Sequence, residues 1–331
     1  MIPDSKKDAL NEALNATFGT TNYNALEPIT KGLSGALIFK LTVHDQPFLL
    51  RIVTRDDAFG DPLYYFSCME TVAEAGLAPK VHYLSIKDRI SITGFIDAHP
   101  FPALRAFQQM PSLLRKLHHL PKFPFRINYF ESMERQLSAF LKKEILPEKN
   151  TRKILDIYER IKAVYPFQDH ENWVSSHNDC KPENILFDGI KPWLVDWEAG
   201  FLNDRYLDLA IVGNFLVGSR EEIENEFLTN YFEDTPSEDQ RARYFLMSEL
   251  LHLYYFILFL THDQLALPLK VNQVAVRGFE SLHQNLWDGN ISLGEKATKR
   301  EYAILHYEAF LRKNQNPRFK ESINRLARIE T

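Results

Sequence analysis

Two cysteines, Cys68 and Cys180, stand far apart in 331 residues. They are too few for a disulfide framework, and a reducing cytoplasm is expected. No basic excess exists either: 44 Asp and Glu against 39 Lys and Arg leave a net charge of −5. Nothing therefore draws the chain to nucleic acid or to an anionic membrane. The start, MIPDSKKDALNEAL, lacks the basic region and apolar run of a signal peptide. The longest apolar run, Leu250 to Leu260, contains a histidine and is too short to span a bilayer. It reads as a buried helix. Internal repeats and low-complexity tracts are missing. What remains is ordinary globular composition, 45% hydrophobic and 25% charged, enough for one large or two modest domains.

The pattern changes once along the chain. Residues 5–18 read as a helix. Residues 24–53 read as strands: a glycine-containing turn at Lys31–Gly35, then ALIFKLTV, a turn at His44–Pro47, and FLLRIV. Asp61-Pro62 predicts a helix opening, with an acid as cap and proline in the first turn, closing at Gly76. VHYL and ISITGFI follow as strands. Beyond Pro100 the spacing turns helical: Met133, Leu137, Leu141 and Ile145, then Ile154, Ile157, Tyr158 and Ile161. Two short strands, NILF and WLVDW, interrupt the helices. Helices resume from Glu221, with turns near Pro236, Pro268 and Pro317. An α+β chain is expected, with a small antiparallel-sheet unit at 1–96 and a large, mainly helical unit at 97–331.

The chemistry concentrates between Ser176 and Leu209. Asn184 lies five residues after Asp179, and Asp196 twelve after that. A lone loop aspartate usually caps a turn. Three oxygen-bearing groups at this spacing instead match the needs of phosphoryl transfer. That reaction wants a carboxylate near the attacking hydroxyl and hard oxygen ligands for Mg²⁺.

The run His177-Asn178-Asp179-Cys180-Lys181-Pro182-Glu183-Asn184, followed by Leu194-Val195-Asp196-Trp197-Glu198, resembles the choline kinase and aminoglycoside phosphotransferase superfamily. Its wording is closest to bacterial choline kinase-like proteins. The resemblance implies a bilobal, protein-kinase-like fold that uses ATP and Mg²⁺. It implies Asp179 as the base or hydroxyl-orienting acid, with Asn184 and Asp196 on the metal. Glu198 is expected near metal or substrate, and Lys181 as a cation that neutralises the transferring group. His177 and Asp208 are expected as scaffold of the loop.

On the nucleotide side, the turn carrying Ser34 would cover the phosphates with backbone N–H groups. Arg51 stands at the strand position of the kinase lysine, where its planar fork suits phosphate. Kinases pair that cation with a helix glutamate. Counting back from Gly76 puts Tyr64 or Tyr65 at that place, so Glu70, further along, is the candidate partner. Thr93 and Ile96 would face the adenine, with Ile38 and Leu186 as apolar walls.

The partner is expected to be a small-molecule alcohol. The helical part is rich in aromatics, and Tyr254, Tyr255 and Trp287 form a candidate box for a cationic head such as choline. An aminoglycoside would want carboxylates, and Glu221, Glu222, Glu224, Glu226, Glu233 and Asp234 do cluster. Such a run reads more simply as a solvated helix face, and the basic stretch from Lys296 to Arg328 likewise as exposed helix. The expected activity is an ATP- and Mg²⁺-dependent kinase of choline or a related amino alcohol. The alternatives are an aminoglycoside, thiamine or other metabolite kinase, and a nucleotide-binding pseudokinase module.

Overall fold

The computed structural model of the protein describes residues 2–29, 36–54, 61–218, 220–261 and 278–328. Helix α1 (Lys7–Phe18) ends at Gly19, whose φ of 70° allows its N–H to reach the Asn15 carbonyl. Strands β1 (Ala25–Pro28), β2 (Ala36–Val43) and β3 (Gln46–Val53) follow. The β2–β3 turn is only His44-Asp45, both left-handed at φ 49° and 60°. That geometry matches the twist of the flanking strands. Helix α2 (Pro62–Glu74) opens as the sequence predicts: Asp61 accepts the N–H of Leu63, and proline fills the first turn. Strands β4 (Val81–Ser85) and β5 (Ile90–Gly94) complete an antiparallel sheet of order β1-β2-β3-β5-β4. Leu10 and Leu14 of α1 pack on Phe39, Leu41, Leu50, Ile52 and Ile92 to give this sheet its core.

Helices α3 (Ala103–His118), α4 (Tyr129–Leu141) and α5 (Glu148–Lys162) begin the helical part. Two antiparallel hairpins follow, nested in sequence: β6 (Trp173–Ser176) pairs with β9 (Phe201–Asp204), and β7 (Ile185–Phe187) with β8 (Pro192–Leu194). Then come α6 (Arg205–Leu216), α7 (Glu221–Phe232), α8 (Glu238–Thr261), α9 (Phe279–Trp287), α10 (Lys296–Gln315) and α11 (Pro317–Leu326). A sheet-bearing lobe thus precedes a mostly helical one. Although α2 lies before residue 97, its Tyr65, Phe66, Cys68 and Val72 join the core of the helical part. Both cysteines are free and buried.

Helix α8 is long and apolar enough to cross a membrane by length and composition, yet most of it is enclosed by other helices. It is a core helix with most of its length buried. Two expectations need correction here. The basic stretch is not exposed: Tyr302, Ala303, Ile304, His306 and Phe310 of α10 are buried, where α10 packs along α8. Nor is the acidic run simply solvated, because Glu224 is buried and paired with Arg318 of α11.

Close contact between α6 and α8 requires glycine at 213. A Cβ there would lie 2.0 Å from the Tyr244 hydroxyl oxygen and 3.1 Å from Cζ. Overpacking of about 1–3 kcal/mol should outweigh the roughly 1 kcal/mol that alanine gains in helix propensity. Gly213→Ala is expected to lower the urea midpoint of unfolding. Adding Tyr244→Phe, which deletes the closest atom, should raise it again.

Candidate active site

The loop between β6 and β7 is held from below by one carboxylate. Asp208, fully buried in the first turn of α6, accepts the backbone N–H of His177 at 2.9 Å and of Asn178 at 2.7 Å. Its oxygen Oδ2 also accepts from His118 Nε2 at 3.1 Å. Since a carboxylate only accepts, that ring nitrogen carries the proton. Nδ1 then accepts from the Tyr231 hydroxyl at 2.7 Å. Burial lowers the His118 pKa, which keeps the ring neutral. No motif marks His118 or Tyr231 in the sequence.

Asn178 sits at φ 62°, an uncommon conformation for a residue with a side chain. Its amide nitrogen donates to the carbonyls of Ala199 at 2.8 Å and Phe201 at 3.2 Å, and its oxygen accepts from Asn203 at 2.9 Å. His177 Nε2 donates to the Val195 carbonyl at 2.8 Å, tying the loop to the segment that carries Asp196. His177 and Asp208 are placed as braces.

Asp179, Lys181 and Asn184 meet. Oδ2 of Asp179 accepts from Lys181 Nζ at 2.7 Å and from Asn184 Nδ2 at 2.9 Å. Burial pulls the Lys181 ammonium down, but Asp179 and neighbouring acids lift it above its ordinary value. Among the described residues nothing donates to Asp179 Oδ1, and the Asn184 amide oxygen accepts nothing. The β7–β8 hairpin brings Asp196 beside Asn184, with the Val195 N–H on the Asn184 carbonyl at 3.0 Å. Asp196 is also left-handed, at φ 65°.

Arg51, on β3, is buried and reaches Asp196 Oδ1 with Nη1 at 3.0 Å and Glu198 Oε1 with Nη2. Burial would lower its pKa, but the two carboxylates raise it. The expected Arg51–Glu70 pair is not formed. Glu70 points to solvent from α2 and makes no ion pair among the described residues. The reason is helix phase: the residue of α2 that couples to Arg51 is the buried Tyr65, whose hydroxyl burial pushes up to about 12. The acids come instead from the 3-10 turn Trp197–Ala199 and the residue before it.

Ser34 lies outside the described residues. Thr93 is buried in β5 opposite Leu49, Ile96 follows that strand half-buried, and Ile38 and Leu186 are also half-buried. In the candidate acceptor box, Tyr255 is buried and Tyr254 keeps open surface, their rings 6.3 Å apart. Both lie within electrostatic reach of Asp179. So does Tyr302 of α10, which sequence reasoning did not single out. Trp287 is occupied elsewhere: its indole N–H donates to the Phe101 carbonyl, and its ring packs on Phe101 and Phe215.

A carboxylate-bearing loop and a short hairpin thus lie against an antiparallel-sheet lobe, the arrangement of a kinase-like fold. The model of the phosphotransferase enzyme family (APH) matches residues 25–245, and the chain belongs to that family. No curated protein sequence gives a match. Among solved structures, a choline/ethanolamine kinase family protein from Mesorhizobium loti is similar, with 19% identity over 97% of this chain and 98% of that one and a TM-score of 0.65. Choline kinase from Cryptosporidium parvum Iowa II has 14% identity, the same coverage and a TM-score of 0.68. An aminoglycoside phosphotransferase in ternary complex with streptomycin and ATP has 15% identity over 91% of this chain and 99% of that one, with a TM-score of 0.57. At these identities the likeness is one of fold.

Helix α6, which carries Asp208, starts at a second buried acid. Asp204 accepts the Tyr206 N–H and the Tyr165 hydroxyl, each at 2.9 Å, and burial pushes its carboxyl up to about 6. A raised folded-state value means that the native protein binds this proton more tightly than the unfolded chain does. This group's contribution to stability is therefore full at low pH and lost as pH rises to about 6. Asp204→Asn is expected to gain stability relative to wild type between pH 4 and pH 7, measured by urea unfolding at both values.

Proposed function

We propose that the protein transfers the γ-phosphoryl group of ATP to a hydroxyl of a cationic amino alcohol such as choline, with Mg²⁺ bound, in the cytoplasm. The observation that carries the chemistry is the unequal use of one carboxylate. Oδ2 of Asp179 is held by Lys181 and Asn184, while Oδ1 accepts nothing among the described residues. Oδ1 is thus available to accept the substrate hydroxyl and orient it for in-line attack. Such positioning of a base contributes roughly 10²–10⁴-fold. Lys181 fixes the rotamer of Asp179 and brings positive charge to the reacting side of the loop.

The donor set fits magnesium: the amide oxygen of Asn184 is unbonded among the described residues, and Asp196 adds a carboxylate. Bound there, the ion would neutralise charge on the nucleotide phosphates. Arg51 supplies a second cation on the nucleotide side of the cleft.

The acceptor reading rests on tyrosines around Asp179. Tyr254, half-buried, stands beside Tyr129 at 5.6 Å and Tyr255 at 6.3 Å. Aromatic faces hold a cation with roughly 0.5–2 kcal/mol each. An aminoglycoside is favoured less, since Glu221 and Glu224 of the acidic run are engaged by Arg318.

Asp179→Asn is expected to reduce turnover to below about a hundredth of wild type while ATP still binds; activity above that level would contradict the assigned role. ADP release across a panel of choline, ethanolamine, thiamine and aminoglycosides tests the acceptor. Choline or ethanolamine should be turned over, and Tyr254→Ala should raise KM for that acceptor by about tenfold, in line with one lost cation–aromatic contact.

A further inference from the structure

A kinase strand cation is ordinarily steadied by an acid on the adjacent helix. Here α2 presents Tyr65 to Arg51 and leaves Glu70 and Glu74 in solvent. We propose that Glu198 takes over that duty: it is the positioning residue for Arg51 and acts through the guanidinium. The inference rests on the reading of this cleft as the ATP site.

The charge count supports it. The Arg51 side chain is 10% exposed, and a buried guanidinium needs a partner anion. Asp196 alone could not serve, because it is also the carboxylate suited to the metal. With one acid, metal and guanidinium would compete for it. With two, Asp196 can turn to the metal while Glu198, 17% exposed, keeps Arg51 in place.

The backbone under Glu198 is anchored accordingly. Its carbonyl accepts from Arg126 at 3.4 Å, and the Arg126 guanidinium lies 5.1 Å from the centre of the Tyr64 ring of α2. Gly200, two residues on, closes the turn against Trp197, where a Cβ would stand at 3.1 Å. The cation is thus held from the loop of the helical part, and the helix contributes packing and a tyrosine.

A double-mutant cycle tests the assignment. Glu198→Gln and Arg51→Gln are made singly and together, with Arg51→Met replacing Arg51→Gln if that variant does not fold. Two quantities are measured: kcat, and the dissociation constant of ATP with divalent metal chelated. Glu198→Gln alone is expected to lower kcat at least tenfold, with KM for the acceptor unchanged, and to shift the metal-free ATP dissociation constant at least threefold. In the Arg51 variant the same change should alter each by less than twofold, because its effect passes through Arg51. Penalties that simply multiply, or an unchanged metal-free dissociation constant in the single variant, would overturn the assignment. A wild-type protein that binds no ATP would instead remove the nucleotide-site reading itself, a separable result.

Discussion

The site depends on the buried carboxylate of Asp208. It satisfies two consecutive backbone N–H groups in a loop that has no ladder to bond to. A buried donor without a partner costs about 1–3 kcal/mol, so this one side chain decides whether the loop can exist in this shape. The loop places Asn178 in the left-handed region. That strain is tolerable because Asn178 is fixed on both sides by bonds to Ala199, Phe201 and Asn203. Asp179 then projects from a rigid corner. His118 and Tyr231 extend the support outward, each donating toward the carboxylate in turn. The direction of donation fixes the histidine tautomer.

A second constraint joins the two lobes. The sheet contributes a buried cation, Arg51, and the helical part answers with two acids on one short segment. Helix α2 packs on the turn that carries Glu198, and Cys68 approaches the Gly200 carbonyl at 3.6 Å. The lobes therefore meet through α2 as well as through the strand cation. This explains why α2 counts with the core of the helical part although the sequence places it within the sheet-bearing unit.

Local chemistry was readable where it is written in few residues. Asp61-Pro62 marks the start of α2, and the spacing of Asp179, Asn184 and Asp196 marks residues that the fold brings together. The β6–β9 pair escaped notice because WVSS and FLND alternate weakly and close over a long sequence gap. The burial of α10 escaped for a related reason: its basic residues flank a buried centre, and a helix enclosed on several sides has no polar stripe for periodicity to find. Glu70 misled because acidity was read without phase. Five residues of α2, about 140° around the helix, separate an exposed glutamate from the buried tyrosine beside Arg51.

The acceptor side is the least legible part, for a physical reason. Tyrosines near Asp179 come from α8 and α10, some fifty residues apart in sequence, and both helices consist of residues that any core would use. A hard ion such as Mg²⁺ takes oxygen ligands and a base must be a titratable group, so residue type itself narrows the choice. A cationic head group asks only for ring faces, and Tyr254 differs from Tyr255 by the surface it keeps rather than by its chemistry. On the proposed reading, acceptor choice would be set by which of many similar rings is left uncovered. That property belongs to the packed helices and not to any stretch of sequence.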